Sequence, residues 1–377
     1  MSAAENKPEI RPLTGIRGFA AGLVLLNHFL PVWSTFLPPL RVLGPLADRG
    51  GLGVDLFFVL SGFILCHVYF DGSKSRLAPA AYRRFVWHRF VRLWPVHVAT
   101  LGLLAALVLG ARLLAVPLSG HYPFSALPFQ LTMTHIWPGV PGPTDADPLN
   151  ARVWNYPSWS ISAEWFAYLL VFPAVWYLLK SLAGRGWLSL LLGCLAMAVW
   201  ALGWGQIPGA FAVCQVAFEF VTGALFYNVW RAAPAVARGC QRLATPVFVL
   251  VVAALLFCPG DWPRLAGSII LLFPFLLLGL TAETAVIAKL FATRPAVWLG
   301  RISYSLYMTQ AIPQKVLKLV LVPEHFAQSP LAVRATLAAA TVLVLLGVAS
   351  GCYYLIENPA RHFLRARTDG HPPGPAN

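Results

Sequence analysis

RGFAAGLVLLNH, residues 17–28, places Arg17 and His28 at the ends of ten residues of which only Asn27 is polar. Similar apolar runs recur along nearly the whole chain of 377 residues, of which 58% are hydrophobic and 11% charged. An ordinary soluble domain has about 25% charged residues, whereas the mean hydropathy here is +0.68. The sequence therefore predicts an integral membrane protein with no soluble domain of any size.

The membrane-spanning segments are predicted to be helices. Lipid offers no hydrogen-bond partner to unpaired backbone groups, and the runs lack the residue alternation of a transmembrane barrel. Each span of a hydrocarbon core about 30 Å thick needs roughly 20 mostly apolar residues. We predict an all-α polytopic bundle of about ten transmembrane helices, near residues 15–33, 51–70, 91–115, 158–179, 187–204, 209–230, 245–259, 264–282, 296–321 and 331–356.

The chain is predicted to consist of one membrane domain with short ends. Residues 1–14 form a cytoplasmic segment, residues 15–364 the transmembrane domain, and residues 365–377 a disordered Pro/Gly-rich tail. The first fourteen residues are polar and have no features of a secretory signal peptide.

The basic residues are distributed unevenly between the two sides of the predicted bundle. The net charge is +14, and with a cytoplasmic N-terminus about 20 of the 28 Lys and Arg residues fall in or beside cytoplasmic segments. This positive-inside pattern places both termini in the cytoplasm. The excess charge thus orients the protein in the lipid bilayer, and nucleic acid is not an expected partner.

The six cysteines occur singly, mostly within predicted spans, without CxxC or Cys/His spacing. They are typical of small core residues. We expect neither a disulfide framework nor a metal site.

Several ionisable residues lie where membrane helices are predicted, and such residues are costly enough to indicate function. They are Arg17, His28, Asp55, Arg89, Arg92, Glu164, Glu219 and Glu357. Arg17 and His28 are eleven residues apart, so they share one helix face and lie about 16 Å apart along the axis. One face of the first helix then links the inner interface to the outer half of the membrane.

Asp55 and Glu164 each lie near the outer end of a predicted span, in the same half of the membrane as His28. A carboxylate beside an imidazole fixes its tautomer and supports the charged form, as a general base requires. Arg89 and Arg92, at the predicted cytoplasmic start of the third span, are spaced i, i+3, and guanidinium groups suit phosphate oxygens. An elongated substrate with phosphates at one end and a reactive group at the other would fit this layout.

Each of these residues also has a structural interpretation, which the sequence leaves open. The three arginines could anchor the protein to lipid phosphates. His28 could be a helix-contact residue, and Asp55 could cap its helix. No partner or role is assigned to Glu219.

The longest predicted connection, residues 117–157, lies on the outer side. Its aromatic residues Trp137, Trp154 and Tyr156 are suited to packing on sugar rings, and they are equally suited to anchoring at the membrane interface.

Six sequence blocks in this order resemble those of the bacterial membrane acyltransferase-3 family, which includes O-antigen and exopolysaccharide acetylases. They are RPLTGIRGFAAGLVLLNHF, GGLGVDLFFVLSGFIL, HRFVRLWP, WSISAEWFAYLL, LGRISYSLYMTQ and IENPARHF. The resemblance implies acyl transfer, usually of acetyl, from cytoplasmic acyl-CoA to a hydroxyl of an extracytoplasmic or lipid-linked glycan. It assigns the catalytic histidine to His28 and the functional arginines to Arg17, Arg89 and Arg92.

Two features depart from the family pattern. Many members have a histidine after the Ser-Tyr-Ser-Leu-Tyr element, where this chain has Gln310. Some members also have a fused C-terminal esterase-like domain, which this sequence does not show. We therefore expect the acceptor to reach the membrane site directly or through partner proteins of polysaccharide biosynthesis.

The resulting hypothesis is an O-acyltransferase of the bacterial inner membrane that uses acyl-CoA, most simply acetyl-CoA, and no metal. His28 would deprotonate the acceptor hydroxyl with help from Asp55 or Glu164, and Arg17, Arg89 and Arg92 would hold the donor. Two alternatives are a transporter that uses the membrane charges as a substrate or proton pathway, and a non-catalytic glycan-binding or assembly subunit.

Overall fold

The computed structural model describes residues 7–70, 76–116, 122–140, 153–203, 210–258, 268–320, 326 and 329–369. Every secondary-structure element within these ranges is helical. The α-helices, in chain order, are α1 (Arg11–Phe36), α2 (Gly44–Asp48), α3 (Leu52–Tyr69), α4 (Pro79–Leu113), α5 (Leu127–Leu131), α6 (Ser158–Phe166), α7 (Phe172–Ser181), α8 (Gly186–Ala201), α9 (Phe211–Ala232), α10 (Pro234–Phe257), α11 (Phe273–Gly279), α12 (Val286–Phe291), α13 (Arg294–Thr309), α14 (Ala311–Val320), α15 (Leu331–Cys352) and α16 (Asn358–Asp369). Short 3₁₀ segments cover Pro38–Leu43, Phe124–Ala126 and Ser268–Leu272, and π-helical turns cover Ala167–Val171 and Tyr353–Glu357.

Seven helical segments within the described residues are long and apolar enough to cross a membrane. They are Arg11–Phe36, Leu52–Tyr69, Pro79–Leu113, Ser158–Ser181, Phe211–Ala232, Pro234–Phe257 and Leu331–Ala366. Gly186–Ala201 and Ser268–Gly279 are shorter apolar helices. The prediction of an all-α polytopic membrane protein is confirmed. The number of spans and the side on which each terminus lies remain predictions.

The chain forms two compact units. The first unit consists of residues 1–31, 39–78 and 169–303, and the second of residues 32–38, 79–168 and 304–377. Of the residues predicted to act in the site, Arg17, His28 and Asp55 belong to the first unit. Arg89, Arg92 and Glu164 belong to the second.

Within the first unit, α3 and α9 pack with their backbones in close contact. A Cβ atom at Gly62 would lie 2.0 Å from the carbonyl oxygen of Phe220, and one at Gly223 would lie 1.9 Å from that of Val59. Only glycine allows this approach, as at small-residue crossings of membrane helices. The crossing fixes the relative position of Asp55 on α3 and the polar residues of α9.

The predicted span 296–321 is divided into α13 and α14, which meet at Gln310. Pro313 explains the break, because it has no N–H to donate to the carbonyl of Thr309 and its ring clashes there. At the C-terminus, α16 continues to Asp369, so the first residues of the predicted tail are helical. Residues 370–377, and much of the predicted outer connection (117–121 and 141–152), lie outside the described residues.

Candidate active site

Arg89 and Arg92 lie in the interior of the long helix α4. The helix begins at Pro79, twelve residues before the predicted span. Proline suits the first turn of a helix because its missing N–H would have no partner there, and no breaker follows within the next turns. At 1.5 Å per residue, Arg89 and Arg92 are about 15 and 20 Å from the start of α4.

The Arg92 guanidinium is held from two directions within the second unit. Its Nη1 forms an ion pair with Glu357 Oε1, and its guanidinium carbon lies 4.8 Å from the centre of the Tyr304 ring. Ser305 Oγ donates a hydrogen bond of 2.6 Å to the other oxygen of Glu357. Tyr304 in turn donates its hydroxyl to the Leu93 carbonyl, at 2.6 Å. Arg92 therefore has a fixed orientation although it lies in a membrane helix.

Glu164 belongs to the same region of the second unit as the arginines. The Tyr168 hydroxyl donates a hydrogen bond to Glu164 Oε1, and both Arg89 and Arg92 interact electrostatically with Tyr168. The predicted layout put Glu164 in the outer half of the membrane, away from the arginines. In the structure Glu164 and both arginines interact with Tyr168, so the separation of Glu164 from the arginines in the predicted layout is not observed.

A π-helical turn lies beside each of the two carboxylates of this region. Ala167–Val171 follows the α-helix that carries Glu164, and Tyr353–Glu357 ends at Glu357 itself. Pro173 and Pro359 stand two residues beyond these turns. A proline clashes with the carbonyl four residues before it, so the helix widens locally. Such turns are frequent at functional sites because they redirect side chains.

A second group of buried polar side chains, on α4 and in the segment between α5 and α6, was not found by sequence reasoning. The rings of His97 and His135 are parallel, with centres 6.1 Å apart. His97 Nε2 is 2.7 Å from the Gln130 carbonyl oxygen, and His135 Nε2 is 3.2 Å from that of Ser158. Burial, with the neighbouring His97, lowers the pKa of His135 from 6.5 to about 3, so the ring is neutral at physiological pH. No sequence spacing pairs His97 with His135, which are 38 residues apart.

Two of the aromatic residues suggested for sugar packing are buried or half-buried and form hydrogen bonds within the protein. Trp154 is 2% exposed, and its indole N–H donates to the Pro123 carbonyl at 3.0 Å. Trp137 is half-buried and donates its N–H to the Ser162 carbonyl, also at 3.0 Å. These contacts favour the structural interpretation for Trp154.

Helix α1 runs without interruption from Arg11 to Phe36, and Arg17 and His28 both lie on its part in the first unit. The shared face and the axial separation of about 16 Å therefore hold. Both side chains are half-buried. Asn27, the polar residue between them, donates its amide to the Ala47 carbonyl at 2.7 Å and ties α1 to α2.

Asp55 faces α9 within the first unit. Its Oδ1 accepts a hydrogen bond of 3.1 Å from Gln215 Nε2, and its carboxyl interacts with that of Glu219. Asp55 is 8% exposed and Glu219 is fully buried. The described contacts of Asp55 are thus with Gln215 and Glu219, and the predicted partnership with His28 is not among them. Two neighbouring buried carboxyl groups repel each other when both are ionised, which favours one proton on the pair.

Comparison with known proteins adds a family to this geometry. A family model described as "Acyltransferase domain" matches residues 11–353. The acyltransferase MdmB of Streptomyces mycarofaciens is 32% identical over 169 residues, which are 44% of this chain and 38% of that protein. Protein 2 in the picA locus of Rhizobium radiobacter is 35% identical over 105 residues, 28% of this chain and 49% of that protein. The chain thus matches less than half the length of either relative, and no solved structure is significantly similar to it.

Proposed function

The chain belongs to this acyltransferase family, and on that premise we propose that it transfers an acyl group from acyl-CoA, with acetyl-CoA as the preferred donor, to a hydroxyl of a glycan or glycolipid. It is a multi-pass membrane protein that catalyses acyl transfer. The donor, the acceptor and the bacterial inner membrane as the location are parts of the proposal. Family membership favours acyl transfer over the transporter and the assembly subunit.

The main observation in support of acyl-CoA as the donor is the orientation of the Arg92 guanidinium. An arginine inside a membrane helix is costly and is retained where it has a function. Here the guanidinium is 12% exposed, pairs with Glu357 and lies over the Tyr304 ring, while Arg89 lies one turn away on the same helix. Guanidinium groups bind phosphate oxygens through two parallel N–H donors. CoA offers several phosphate oxygens, which supports acyl-CoA as the donor.

The reaction needs one base, and we assign it to His28. The acceptor O–H proton moves to the imidazole while the hydroxyl oxygen attacks the thioester carbonyl carbon. The C–S bond then breaks, and the CoA thiolate leaves and takes the proton back from His28. The products are the acyl ester of the acceptor and free CoA, with no acyl-enzyme required.

The remaining residues are proposed to bind the donor or to assist His28. Arg17 is proposed to bind the donor together with Arg89 and Arg92. Glu164, through Tyr168, lies in the same region as Arg89 and Arg92, which supports a role next to the bound donor. Asp55, whose carboxyl group neighbours that of Glu219, is proposed to assist His28 in proton transfer.

The test uses the purified full chain in nanodiscs with acetyl-CoA labelled on the acetyl group. We expect CoA release that depends on the protein, and label in the glycan or glycolipid fraction of membranes from the source organism. His28→Ala should abolish both. His362→Ala, at an exposed position on α16, is the matched control and should retain them. Full activity of His28→Ala would refute the assignment of the base, and substrate flux without CoA consumption would favour a transporter.

A further inference from the structure

Helix α16 brings a second arginine to the Arg92–Glu357 pair. Arg361 lies one turn after Glu357 on α16, and its Nη1 is 3.8 Å from the same Glu357 oxygen that pairs with Arg92. The indole N–H of Trp87 donates to the Leu364 carbonyl at 3.3 Å and attaches α16 to α4. Two helices far apart in sequence thus present their guanidinium groups to one carboxylate.

Charge is unbalanced around Arg361. Its guanidinium is repelled by those of Arg89, Arg92 and Arg365, and Glu357 is the carboxylate that attracts it. Among the described residues Glu357 already pairs with Arg92, and the buried Nε of Arg361 has no hydrogen-bond partner. Like charges repel strongly where water is scarce. A bound anion would offset this repulsion and occupy the open donor.

The arrangement fits an anion with more than one phosphate group. Arg89 and Arg92 are spaced i, i+3 on α4, and Arg361 and Arg365 are spaced i, i+4 on α16, so each pair lies on one helix face. Each planar guanidinium offers paired N–H donors to phosphate oxygens. The family match ends at residue 353, so neither Arg361 nor Arg365 is included in it.

We propose that Arg361 and Arg365 form the second half of a polyphosphate site whose first half is Arg89 and Arg92. The inference rests on the proposed function, since the ligand would be the diphosphate end of the acyl donor. Glu357 then sets the spacing between the two halves by contacting both Arg92 and Arg361.

The experiment measures binding of CoA, and its displacement by pyrophosphate, to the full chain in nanodiscs of neutral phosphatidylcholine. Arg361→Gln should weaken CoA binding about tenfold or more, as expected for loss of a charge-assisted contact. Arg361→Lys should recover part of the affinity because the charge remains. The matched control is Arg112→Gln, because Arg112 is exposed at the far end of α4 and stacks on Phe124 at 5.0 Å. This control should bind CoA like the wild type.

The outcomes separate the two proposals. If wild-type protein binds no CoA, the proposed function fails. If it binds CoA, and Arg92→Gln loses binding while Arg361→Gln does not, the inference about α16 fails alone. Loss of affinity for anionic phosphatidylglycerol vesicles in Arg361→Gln, with CoA binding intact, would assign Arg361 to lipid headgroups and also overturn the inference. Thermal unfolding of each variant shows whether lost binding reflects lost folding.

Discussion

The Arg92 guanidinium and the Glu357 carboxylate form an ion pair although 265 residues separate them in the sequence. Burial makes such a pair expensive to desolvate, because its side chains are only 12% and 1% exposed. The hydrogen bond from Ser305 and the Tyr304 ring compensate part of that cost. We infer that the pair is retained because it orients Arg92, rather than for stability alone.

Glu357→Gln tests this positioning role. The variant leaves the Arg92 charge without its partner, which costs about 3–5 kcal/mol for a buried pair. We expect a lower unfolding temperature in detergent and a raised apparent KM for acetyl-CoA, with a smaller effect on kcat. Steady-state kinetics at varied acetyl-CoA concentration measures the changes in KM and in kcat separately.

The control for Glu357→Gln is Glu9→Gln. Glu9 pairs with Arg301 at 3.0 Å, but both side chains are about half exposed, and such surface pairs contribute about 0–1 kcal/mol. Glu9→Gln should leave the unfolding temperature and the apparent KM for acetyl-CoA nearly unchanged. Equal effects of the two substitutions would contradict a special role for the buried pair.

The sequence predicted the helical fold and the residues worth following, because both depend on local patterns. The apolar run around residues 17–28 lies within a single continuous helix, as its pattern predicts. The i, i+3 spacing of Arg89 and Arg92 likewise survives in the structure. Each of these features needs only the 3.6-residue period.

Long-range partners could not be read from the sequence. Nothing local pairs Arg92 with Glu357, or Asp55 with Gln215 and Glu219, because these contacts depend on which helices become neighbours. The interactions of Glu164, Arg89 and Arg92 with Tyr168 depend in the same way on which helices become neighbours.

Gly223→Ala tests the crossing of α3 and α9. The new Cβ would lie 1.9 Å from the Val59 carbonyl oxygen, and backbone cannot move aside as a side chain can. We expect a loss of at least about 1–3 kcal/mol of stability, typical of overpacking, and lower activity, because the crossing positions Asp55. Thermal unfolding and gel filtration measure the effect. Gly102→Ala on α4, with no atom within 4 Å of its new methyl group, should be tolerated, and equal loss in both would exclude a steric cause.

Glu219→Gln tests whether the buried Glu219 carboxyl group is protonated in the folded protein. Glu219 lies against Asp55, Gln215 and Trp200, with no cation among these partners. An amide replaces a protonated carboxyl with little change in shape or charge, so we expect nearly wild-type unfolding temperature for Glu219→Gln. Glu219→Ala removes the same contacts and leaves a cavity, so it should unfold at a lower temperature. If Glu219→Gln lowered the unfolding temperature as much as Glu219→Ala, the folded protein would require the charged form of Glu219.

His135→Gln tests the buried imidazole in the segment between α5 and α6. The pKa of His135 is lowered to about 3 in the folded protein, chiefly by burial, from 6.5. Between these values the unfolded chain binds a proton that the folded protein does not, so stability is full above pH 6.5 and falls as the pH is lowered. His135 should contribute a slope approaching about 1.4 kcal/mol per pH unit. Denaturant unfolding at several pH values should show a shallower decline for His135→Gln, and parallel curves would contradict this.

Substitutions of Arg17 and of His28 should change different kinetic constants, although both residues lie on one continuous helix. Arg17→Gln removes a proposed donor contact, so activity should recover at high acetyl-CoA concentration: KM rises and kcat is largely kept. His28→Gln removes the proposed base, so kcat should fall by about 10²-fold or more at saturating donor, while CoA binding persists. Separate measurements of CoA binding and of turnover distinguish the two defects. Recovery of His28→Gln by added donor would place His28 in the donor site instead, and a loss of kcat at saturating donor in Arg17→Gln would place Arg17 in the chemical step.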